Sequence, residues 1–478
     1  MTGLAIQPVP ATPAIRVRDL AIAAAGEIVR PMSFDVYPGV PFTILGSSGS
    51  GKSLLSQAIM GNLPEGLAAS GRVEIDGVDV LALPQKRREA MWGRTLSLLP
   101  QEPWHALDPT MTALPQVAET YRYVRGLPDA EARRRAAADL DALGLPGDTA
   151  GKLPMQLSGG MAQRVVFAAA QAGGAPIVIV DEPTKGLDAS RRDDVVALLK
   201  RAADAGGVLL TITHDIAVAR QLGGYVMVMR AGELQEEGEA HALLANPRSD
   251  YARRLIAADP ENWPKAAPRR LAADAPEVLR AEGIAVARGG RRLVSGFDLR
   301  LRAGEIVGIT GDSGCGKSSL GDTLLGLLPP DAGRVTRAPG LAAHRFLKLY
   351  QDPPTAFSRH WPMRVLLDDV VRLHRLDRGR IPPLMERLRL APELLERDSR
   401  SISGGELQRF SILRALLLDP ALIFADEPTS RLDPIIQREI VELLVGVARE
   451  RQCALLLVSH DMALVDHVCD RSIALGSR

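Results

Sequence analysis

Short apolar runs recur along this chain, and glycine-rich or acidic residues follow each of them. Four such runs occupy residues 42–45, 177–180, 306–309 and 422–425. Runs that are apolar on both faces indicate strands buried inside a parallel sheet. Segments with helical character separate them, among them residues 163–171 and 408–418. The pattern therefore predicts an α/β fold.

The order of motifs in the first half of the chain repeats in the second half. Three landmarks recur at an almost constant offset: Ser158, Asp181 and His214, then Ser403, Asp426 and His460. A repeat of this length indicates two copies of one structural unit. The second copy is shorter between Lys317 and Gln351 than the first is between Lys52 and Gln101. We interpret the difference as the loss of a peripheral β-segment that corresponds to the strand-like residues 71–78.

A stretch rich in proline and alanine separates the two copies. It contains few large apolar residues, and each proline disfavours helix in the residue before it. The prolines are Pro260, Pro264, Pro268 and Pro276. We therefore predict a partly extended linker over residues 259–276, between a first domain at 1–258, which ends in a short tail, and a second domain at 277–478.

Composition narrows the class of protein. A chain of 478 residues exceeds one ordinary core, so two or three domains are expected. It carries 58 Lys and Arg against 57 Asp and Glu, which argues against a general nucleic-acid binder. Three cysteines without metal-binding spacing favour a reducing compartment.

Residues 1–13 do not resemble a secretory signal, and no apolar stretch approaches the ~18 residues of a membrane span. Transport of a solute would therefore need another chain to supply the path.

Each half contains a glycine-rich loop between an apolar run and a helix-like stretch. The loops occupy residues 46–53 and 311–318 and match G-x-x-x-x-G-K-S. In such a loop, backbone N–H groups turn inward and bind phosphate oxygens, the lysine reaches the β- and γ-phosphates, and the serine hydroxyl binds Mg²⁺. The alternative interpretation is a glycine-rich turn that binds no ligand. Two matches between an apolar run and a helix-like stretch argue against this alternative.

An Asp-Glu pair follows an apolar run in each half, as Asp181-Glu182 and Asp426-Glu427. An Asp at the carboxyl end of a strand can bind Mg²⁺ directly or through water. The next Glu can polarise the water that attacks a phosphoryl group. The alternative is an acidic pair that only caps a helix ahead of the following proline. Downstream of a phosphate-binding loop, we favour the catalytic interpretation.

A Ser-Gly-Gly string opens a helix-like segment in each half. It comprises Ser158, Gly159 and Gly160 in the first half, and Ser403, Gly404 and Gly405 in the second. The serine is a candidate N-cap, and a bare helix start is the plainer interpretation. The functional interpretation is an anion site made by the free N–H groups and the serine hydroxyl.

Taken together, these motifs resemble the ATPase cassettes of ABC transporters. Both halves carry, in the same order, the phosphate-binding loop, a glutamine, the Ser-Gly-Gly-x-x-Gln-Arg signature, Asp-Glu-Pro-Thr, Leu-Asp and a histidine followed by Asp. The resemblance covers nearly the whole chain except the linker and the ends. It adds the glutamines Gln101 and Gln351, the aspartates Asp188 and Asp433, and the histidines His214 and His460.

The resemblance implies two tandem ABC ATPase cassettes, each with a RecA-like parallel-sheet core, an antiparallel β-subdomain and a helical signature subdomain. They would close head to tail over two ATP molecules, with the Lys52 loop facing Ser403 and the Lys317 loop facing Ser158. The implied catalytic residues are Glu182, Glu427, His214 and His460. The implied Mg²⁺ ligands are Ser53, Gln101, Asp181, Ser318, Gln351 and Asp426. The implied nucleotide-binding residues are Gly46, Ser47, Gly49, Gly51, Lys52, Ser53, Gln101, Ser158, Gly159, Gly160, Asp181, Asp188, Gly311, Gly314, Gly316, Lys317, Ser318, Gln351, Ser403, Gly404, Gly405, Asp426 and Asp433.

The residues after each glutamine resemble those of peptide, nickel and metallophore importer ATPases. These are residues 102–109 and 352–357, although the second copy departs from the pattern at 358–361. The resemblance implies two permease chains and a substrate-binding protein as partners, with no nucleic acid, and a peripheral position on the cytoplasmic face of the inner membrane. Trp104, His105 and Trp361 are candidate permease contacts or ordinary loop side chains. The cargo stays open among peptides, nickel, metal chelates and other small solutes.

Other twin-cassette proteins remain as alternatives. A soluble ATPase acting on ribosomes usually has a long charged helical linker, whereas this linker is short and rich in proline and alanine. A fused sugar-importer ATPase often has an altered second loop, whereas Lys317 and Ser318 are intact. DNA-repair cassettes with zinc modules need more cysteines than the three present.

Neither half places an aromatic residue where this family usually stacks a ring on adenine. Residues 23–26 read Ala-Ala-Ala-Gly and residues 286–289 read Val-Ala-Arg-Gly. Arg288 could stack through its guanidinium plane, although a solvated arginine is the plainer interpretation. We therefore expect the dissociation constants for ATP and GTP to lie within about tenfold of each other, or ~1.4 kcal/mol. Equilibrium binding of both nucleotides checks this, and a larger difference would contradict it.

Overall fold

A computed structural model describes residues 12–101, 106–184, 189–264, 275–312, 314–430 and 432–476. The chain divides into two compact units, Met1–Ile256 and Ala257–Arg478. Among the helices of the described ranges, none has the length and apolarity needed to cross a bilayer. The three cysteines are free, and Cys315 and Cys453 are buried.

The first unit alternates strands and helices as the apolar pattern predicts. Its described strands are β1 (Ile15–Ala23), β2 (Glu27–Val36), β3 (Phe42–Gly46), β4 (Ala68–Ile75), β5 (Val78–Asp79), β6 (Leu96–Leu99), β7 (Ile177–Asp181), β8 (Val208–Thr213), β9 (Tyr225–Arg230) and β10 (Glu233–Glu239). Its described helices are α1 (Lys52–Met60), α2 (Gln85–Glu89), α3 (Ala113–Glu119), α4 (Asp129–Ala142), α5 (Gly159–Ala172), α6 (Ala189–Asp204), α7 (Ile216–Leu222), α8 (Ala240–Ala245) and α9 (Asp250–Ala257).

Two sheets and a group of helices build this unit. Strands β2, β1, β4 and β5 form an antiparallel sheet in that order. The larger sheet has the order β10-β9-β3-β8-β7-β6 and is parallel except for the β9–β10 pair. One apolar core contains buried side chains of both sheets, and a second core joins α3, α4 and α5 to the large sheet. The helical group therefore holds the signature helix α5 against the parallel core.

The second unit repeats this arrangement. Its described strands are β11 (Glu277–Arg288), β12 (Arg291–Arg302), β13 (Ile306–Thr310), β14 (Ala332–Arg337), β15 (Phe346–Leu349), β16 (Leu422–Asp426), β17 (Ala454–Val458) and β18 (Arg471–Ala474). Its described helices are α10 (Lys317–Leu324), α11 (Met363–His374), α12 (Ile381–Arg387), α13 (Gly404–Leu417), α14 (Pro434–Glu450) and α15 (Met462–Val468).

The sheets of the second unit confirm the predicted α/β class. An antiparallel sheet has the order β12-β11-β14, and a parallel sheet has the order β15-β16-β17-β13-β18. All four apolar runs of the sequence form central strands, namely β3, β7, β13 and β16. Both predicted helical segments lie within the signature helices α5 and α13, apart from the last residue of the second segment. Each unit therefore combines a parallel core, an antiparallel sheet and a helical group.

The interpretation of the shortened region is corrected by the structure. The strand-like residues 71–78 belong mainly to β4, and the second unit has a counterpart in β14, which pairs with β11 as β4 pairs with β1. Between the loop lysine and the glutamine, the elements of the first unit without a counterpart among the described residues are the short strand β5 and the helix α2. The longer strand is retained because its pairing completes the antiparallel sheet, whereas β5 contributes two residues to an edge.

Residues that open the proline-rich stretch pack into the second unit. A 3₁₀ turn forms at Pro260–Asn262, and the indole of Trp263 is 9% exposed. The Trp263 Nε1–H donates to the Ala258 carbonyl at 2.9 Å, and its own carbonyl lies 2.7 Å from Nε2 of His467. Residues 265–274 lie outside the described ranges.

A glycine in α10 allows the ring of Phe424 to pack against the helix. A Cβ at Gly321 would lie 2.1 Å from Cζ of Phe424. We expect Gly321→Ala to destabilise the second unit by about 1–3 kcal/mol through overpacking, although alanine has the better helix propensity. Thermal unfolding measures the effect.

Gly446→Ala is the matched control, because Gly446 also lies inside a helix but nothing comes within 4 Å of the added Cβ. This substitution should leave the melting temperature unchanged or raise it. A melting temperature of Gly321→Ala equal to that of the control would contradict the packing argument.

Candidate active site

The first phosphate-binding loop joins the end of β3 to the start of α1. Gly49 and Gly51 adopt φ values of 76° and 94°, which L side chains rarely adopt. The Lys52 ammonium turns back over the loop, and its Nζ donates to the carbonyls of Gly46 at 2.8 Å and Ser47 at 2.7 Å. The lysine is thus placed over the loop where phosphate oxygens would lie.

The second loop repeats this geometry between β13 and α10. Gly314 and Gly316 have φ values of 79° and 107°. The Nζ of Lys317 donates to the carbonyls of Gly311 at 2.7 Å and Asp312 at 2.9 Å. Ser313 lies outside the described residues.

Both loops fit the phosphates of a nucleotide. Helices α1 and α10 each start after a left-handed glycine whose position provides no side-chain cap. The N–H groups of the first turn have no intrahelical acceptor, so they are suited to bind an anion. The serine that follows each lysine, Ser53 or Ser318, lies in that first turn.

The first catalytic candidate, Glu182, is held by a histidine. Glu182 directly follows β7, has φ 50°, and its N–H donates to the Ile212 carbonyl at 2.8 Å. Its Oε2 lies 2.7 Å from Nδ1 of His214, which directly follows β8. Glu182 is 7% exposed. A residue other than glycine is strained when its backbone is left-handed, and such strain is often found at functional sites.

The second catalytic candidate, Glu427, has two partners. Its φ is 46°, and its Oε1 lies 2.5 Å from Nε2 of His460. Its Oε2 accepts a hydrogen bond from Nε2 of Gln351 at 2.7 Å. The predicted glutamine, glutamate and histidine of the second half therefore meet at one point.

The Glu182–His214 contact shifts the pKa of both groups. Burial opposes ionisation of Glu182, but the hydrogen bond and charge of His214 outweigh it and hold the Glu182 pKa below its ordinary value. Burial also opposes protonation of His214, and Glu182 outweighs it, so the His214 pKa is raised. Both shifts favour the ionised pair.

The signature serines cap their helices. Ser158 accepts from the Met161 N–H at 3.3 Å at the start of α5. Ser403 accepts from the Glu406 N–H at 3.4 Å, and the Glu406 carboxylate accepts from the Ser403 N–H at 3.0 Å. The prediction that both serines are N-caps is therefore confirmed, and an anion site toward ATP stays a prediction.

Asp433 also caps a helix, because its Oδ1 accepts a hydrogen bond from the Ile436 N–H at 3.1 Å at the start of α14.

Several predicted residues lie outside the described ranges. They are Asp188, Trp104 and His105, with the other residues of the stretch 102–105.

The candidate Mg²⁺ ligands are few at each site. Among the described residues, no group of three or more His, Cys, Asp or Glu side chains could hold a metal ion. Each site offers one strand-end aspartate, Asp181 or Asp426, and one serine hydroxyl in the first turn after the loop, Ser53 or Ser318. Mg²⁺ prefers oxygen ligands and often completes its shell with substrate phosphates and water. The residues therefore fit Mg²⁺ that arrives with a nucleotide.

Two contacts were not predicted from the sequence. The Ser47 N–H of the first loop donates to the hydroxyl of Tyr251 in α9 at 3.0 Å. At the second site, Lys348 contacts Asp426 and Asp322. Burial opposes the charge of Lys348, but the two carboxylates raise its pKa above the ordinary value. A lysine inside the apolar run 346–349 was the signal that could have drawn attention to this position.

The arrangement is that of a P-loop nucleoside-triphosphate hydrolase with two candidate nucleotide sites, each with a phosphate-binding loop, a strand-end aspartate and a glutamate–histidine pair. The family model of the ABC transporter matches residues 29–185 and 294–430. The chain belongs to this family. It is an ATPase with tandem cassettes, and the family resemblance found in the sequence is confirmed.

Two relatives cover almost the whole chain. "Peptidoglycan transport ATP-binding protein YejF" of Agrobacterium fabrum is 32% identical over 501 residues, which span 97% of this chain and 91% of that protein. "Glutathione import ATP-binding protein GsiA" of Escherichia coli (strain K12) is 32% identical over 510 residues, which span 93% of this chain and 81% of that protein.

A solved structure has a similar fold. The "RNase-L Inhibitor" structure superposes with a TM-score of 0.64 and covers 96% of this chain and 87% of that one. The sequence identity is 20%, so the similarity concerns the fold alone.

The Tyr251 hydroxyl holds the first phosphate-binding loop. The ring is 5% exposed and lies under the Arg230 guanidinium, 5.3 Å from its Cζ, so Tyr251→Phe should keep the ring in place and remove only the hydrogen-bond acceptor. We expect the variant to weaken ATP binding at the first site by up to about fivefold, the effect of one ordinary hydrogen bond of ~1 kcal/mol.

The affinity is measured by equilibrium ATP binding in a Lys317→Ala background, where the second site lacks its loop lysine. Tyr225→Phe is the control, because the Tyr225 ring also packs on a neighbour, Phe42, at 5.7 Å. Equal affinities of the two tyrosine variants would show that the Tyr251 hydroxyl does not support the loop.

Proposed function

We propose that this chain is the ATP-hydrolysing motor subunit of an ABC importer. It couples ATP binding and hydrolysis at two sites to the passage of small solutes through separate permease chains. The observation that carries the proposal is the duplication of an intact site, since both halves keep the loop lysine, the strand-end aspartate, the glutamate and the histidine.

The chemistry follows from the roles that these side chains can take. Lys52 and Lys317 bind the β- and γ-phosphates of ATP, and the loop N–H groups bind the remaining phosphate oxygens. Glu182 and Glu427 orient and polarise the attacking water. His214 and His460 exchange their contact with the glutamate for one with the γ-phosphate. When bound, Mg²⁺ neutralises phosphate charge, and Ser53, Gln101 and Asp181, or Ser318, Gln351 and Asp426, hold it.

We also propose that each nucleotide is completed by the opposite cassette. The Lys52 loop then pairs with the signature at Ser403, and the Lys317 loop with the signature at Ser158. The cassettes are residues 1–258 and 277–478, joined by 259–276. A pair within one chain is favoured over a pair between chains, because the linker keeps the partner at high effective concentration.

The relatives support an importer over a ribosomal ATPase. Two proteins of 32% identity over nearly the whole chain carry names that describe transport or import. Their named cargoes, peptidoglycan and glutathione, both contain peptide bonds. This favours peptides within the predicted set of peptide, nickel and metal-chelate cargo. We further propose two permease chains and a substrate-binding protein as partners, which would hold the chain at the cytoplasmic face of the inner membrane.

The test is an affinity pull-down of the double variant Glu182→Gln with Glu427→Gln from gently solubilised cells, supplied with ATP. Without the carboxylates, ATP is bound but hydrolysis is slow, so the ATP-bound assembly persists. We expect two multi-spanning permease chains to be recovered, identified by mass spectrometry. Light scattering of the purified variant should show a single chain when ATP is bound.

The control is Lys52→Ala with Lys317→Ala, which should bind ATP weakly at both sites and should not form the ATP-bound assembly. Recovery of ribosomal proteins without permeases would replace the importer with a soluble translation-linked ATPase. A two-chain species in light scattering would defeat the single-chain cassette pair while leaving the motor function intact.

A further inference from the structure

A glutamine of the first signature helix joins that helix to the strand end of the candidate active site. Gln163 lies in α5, and its Nε2 donates a hydrogen bond to the carbonyl of Pro183 at 2.9 Å. Gln163 is 7% exposed. Pro183 directly follows Glu182, so this hydrogen bond, which we call the glutamine link, holds the backbone beside the glutamate. The signature helix and the glutamate of the first unit are therefore joined by one buried contact.

The equivalent glutamine of the second unit does not make this contact. Gln408 stands five residues after the signature serine Ser403, as Gln163 stands five residues after Ser158. Gln408 is 0% exposed, yet neither its Nε2 nor its Oε1 has a hydrogen-bond partner among the described residues. A buried amide without partners destabilises a fold and is rare in native proteins. The open link inside a signature helix therefore calls for a functional explanation.

The next residue along each helix shows that the signature helices are attached to their helical groups in the same way. Nη1 of Arg164 donates to the Leu143 carbonyl at 3.3 Å, and Nη1 of Arg409 donates to the Leu388 carbonyl at 2.9 Å. Leu143 directly follows α4, and Leu388 directly follows α12. Because both attachments are present, loss of this attachment does not explain the open link.

The contacts of the two glutamates differ together with the link. Oε2 of Glu182 accepts hydrogen bonds from the Thr213 hydroxyl and the His214 N–H, each at 3.4 Å, at the end of β8. Oε2 of Glu427 instead accepts from Nε2 of Gln351 at 2.7 Å. The made link thus accompanies a glutamate held at a strand end, and the open link accompanies a glutamate held by a glutamine side chain.

We propose that Gln408 is a positioning residue for Glu427: its link to the Pro428 carbonyl is made when a nucleotide binds at the second site, whereas the first unit keeps its link throughout. The inference rests on the proposed roles of Glu427 in hydrolysis and of Gln351 toward Mg²⁺. When Gln351 turns to the nucleotide and its metal, Glu427 loses that partner. The glutamate then moves to the end of β17, as Glu182 lies at the end of β8, and the link holds its backbone there.

The link contributes to nucleotide binding only where its state changes. In the second unit, making the link gives the buried Gln408 amide a hydrogen bond, so the bound state gains a stabilising contact. A ligand shifts an equilibrium only through its different interaction with the two states. The Gln163 link is present in both states of the first unit, so its contribution cancels.

Methionine variants separate the two glutamines, since methionine resembles glutamine in length and helix propensity but cannot donate to a carbonyl. Without nucleotide, Gln408→Met removes the buried amide and should raise the melting temperature by about 2–4 °C. Gln163→Met breaks a buried hydrogen bond and should lower it by a similar amount. Gln171→Met, eight residues further along α5, is the control and should leave it unchanged.

Nucleotide affinity tests the proposed change of state. Lys52→Ala leaves the second site as the strong one, and Lys317→Ala leaves the first. Equilibrium binding of the non-hydrolysable ATP analogue AMP-PNP is measured with Mg²⁺ in each background. Gln408→Met in the Lys52→Ala chain should weaken binding by about fivefold, the effect of one ordinary hydrogen bond. Gln163→Met in the Lys317→Ala chain should change the affinity by less than about twofold.

The rate of ATP hydrolysis distinguishes a positioning role from a structural one. In the chain that keeps both loop lysines, Gln408→Met should lower kcat by at least about fivefold although it raises the melting temperature. A purely structural residue would change stability and rate in the same direction.

Three results would overturn the inference: a lower melting temperature of Gln408→Met, an unchanged AMP-PNP affinity or kcat of this variant, or an equal loss of affinity in Gln163→Met. The proposed function is tested separately by Glu427→Gln in the otherwise native chain. Hydrolysis by this variant at the native rate would remove the catalytic role of Glu427, whereas the affinities of the methionine variants do not depend on hydrolysis.

Discussion

Parallel pairing of the central strands is the constraint on which both sites depend. In the first unit β3, β8 and β7 are neighbours, so the phosphate-binding loop, the histidine and the Asp-Glu pair leave the sheet at the same edge. The Glu182 and Glu427 N–H groups then continue the pairing by donating to the adjacent strand. That hydrogen bond holds each glutamate in a left-handed conformation, at a cost of about 1–3 kcal/mol that the surrounding sheet offsets.

The same geometry determines how the catalytic side chains are engaged. Each glutamate contacts a histidine, and Glu427 also receives the amide of Gln351. For Glu182 they add to the hydrogen bonds from the Thr213 hydroxyl and the His214 N–H, and burial of a carboxylate with too few partners is costly. A nucleotide that recruits the histidine or the glutamine must therefore compete with an existing hydrogen bond.

The two units show which parts of a duplicated site can diverge. The loops, strand ends and signature helices agree closely because the backbone geometry of phosphate binding allows few alternatives. Differences lie around them: β5 and α2 in the first unit, the Tyr251 hydroxyl on the first loop, and the Lys348 ion pair at the second aspartate. Such differences alter charge and rigidity without changing a motif. Equivalent motifs therefore do not make equivalent sites.

The sequence by itself determined the α/β class, the duplication, the central strands and the residues of each motif, because apolar periodicity and loop chemistry are local properties. It did not determine that Glu427 meets Gln351, that Tyr251 reaches Ser47, or that Lys348 lies on Asp426. Those contacts join residues between 76 and 204 positions apart, and only the packing of strands and helices brings them within hydrogen-bonding distance. The sequence also misplaced the shortened segment, since the pairing of β14 with β11 is visible only in the folded sheet.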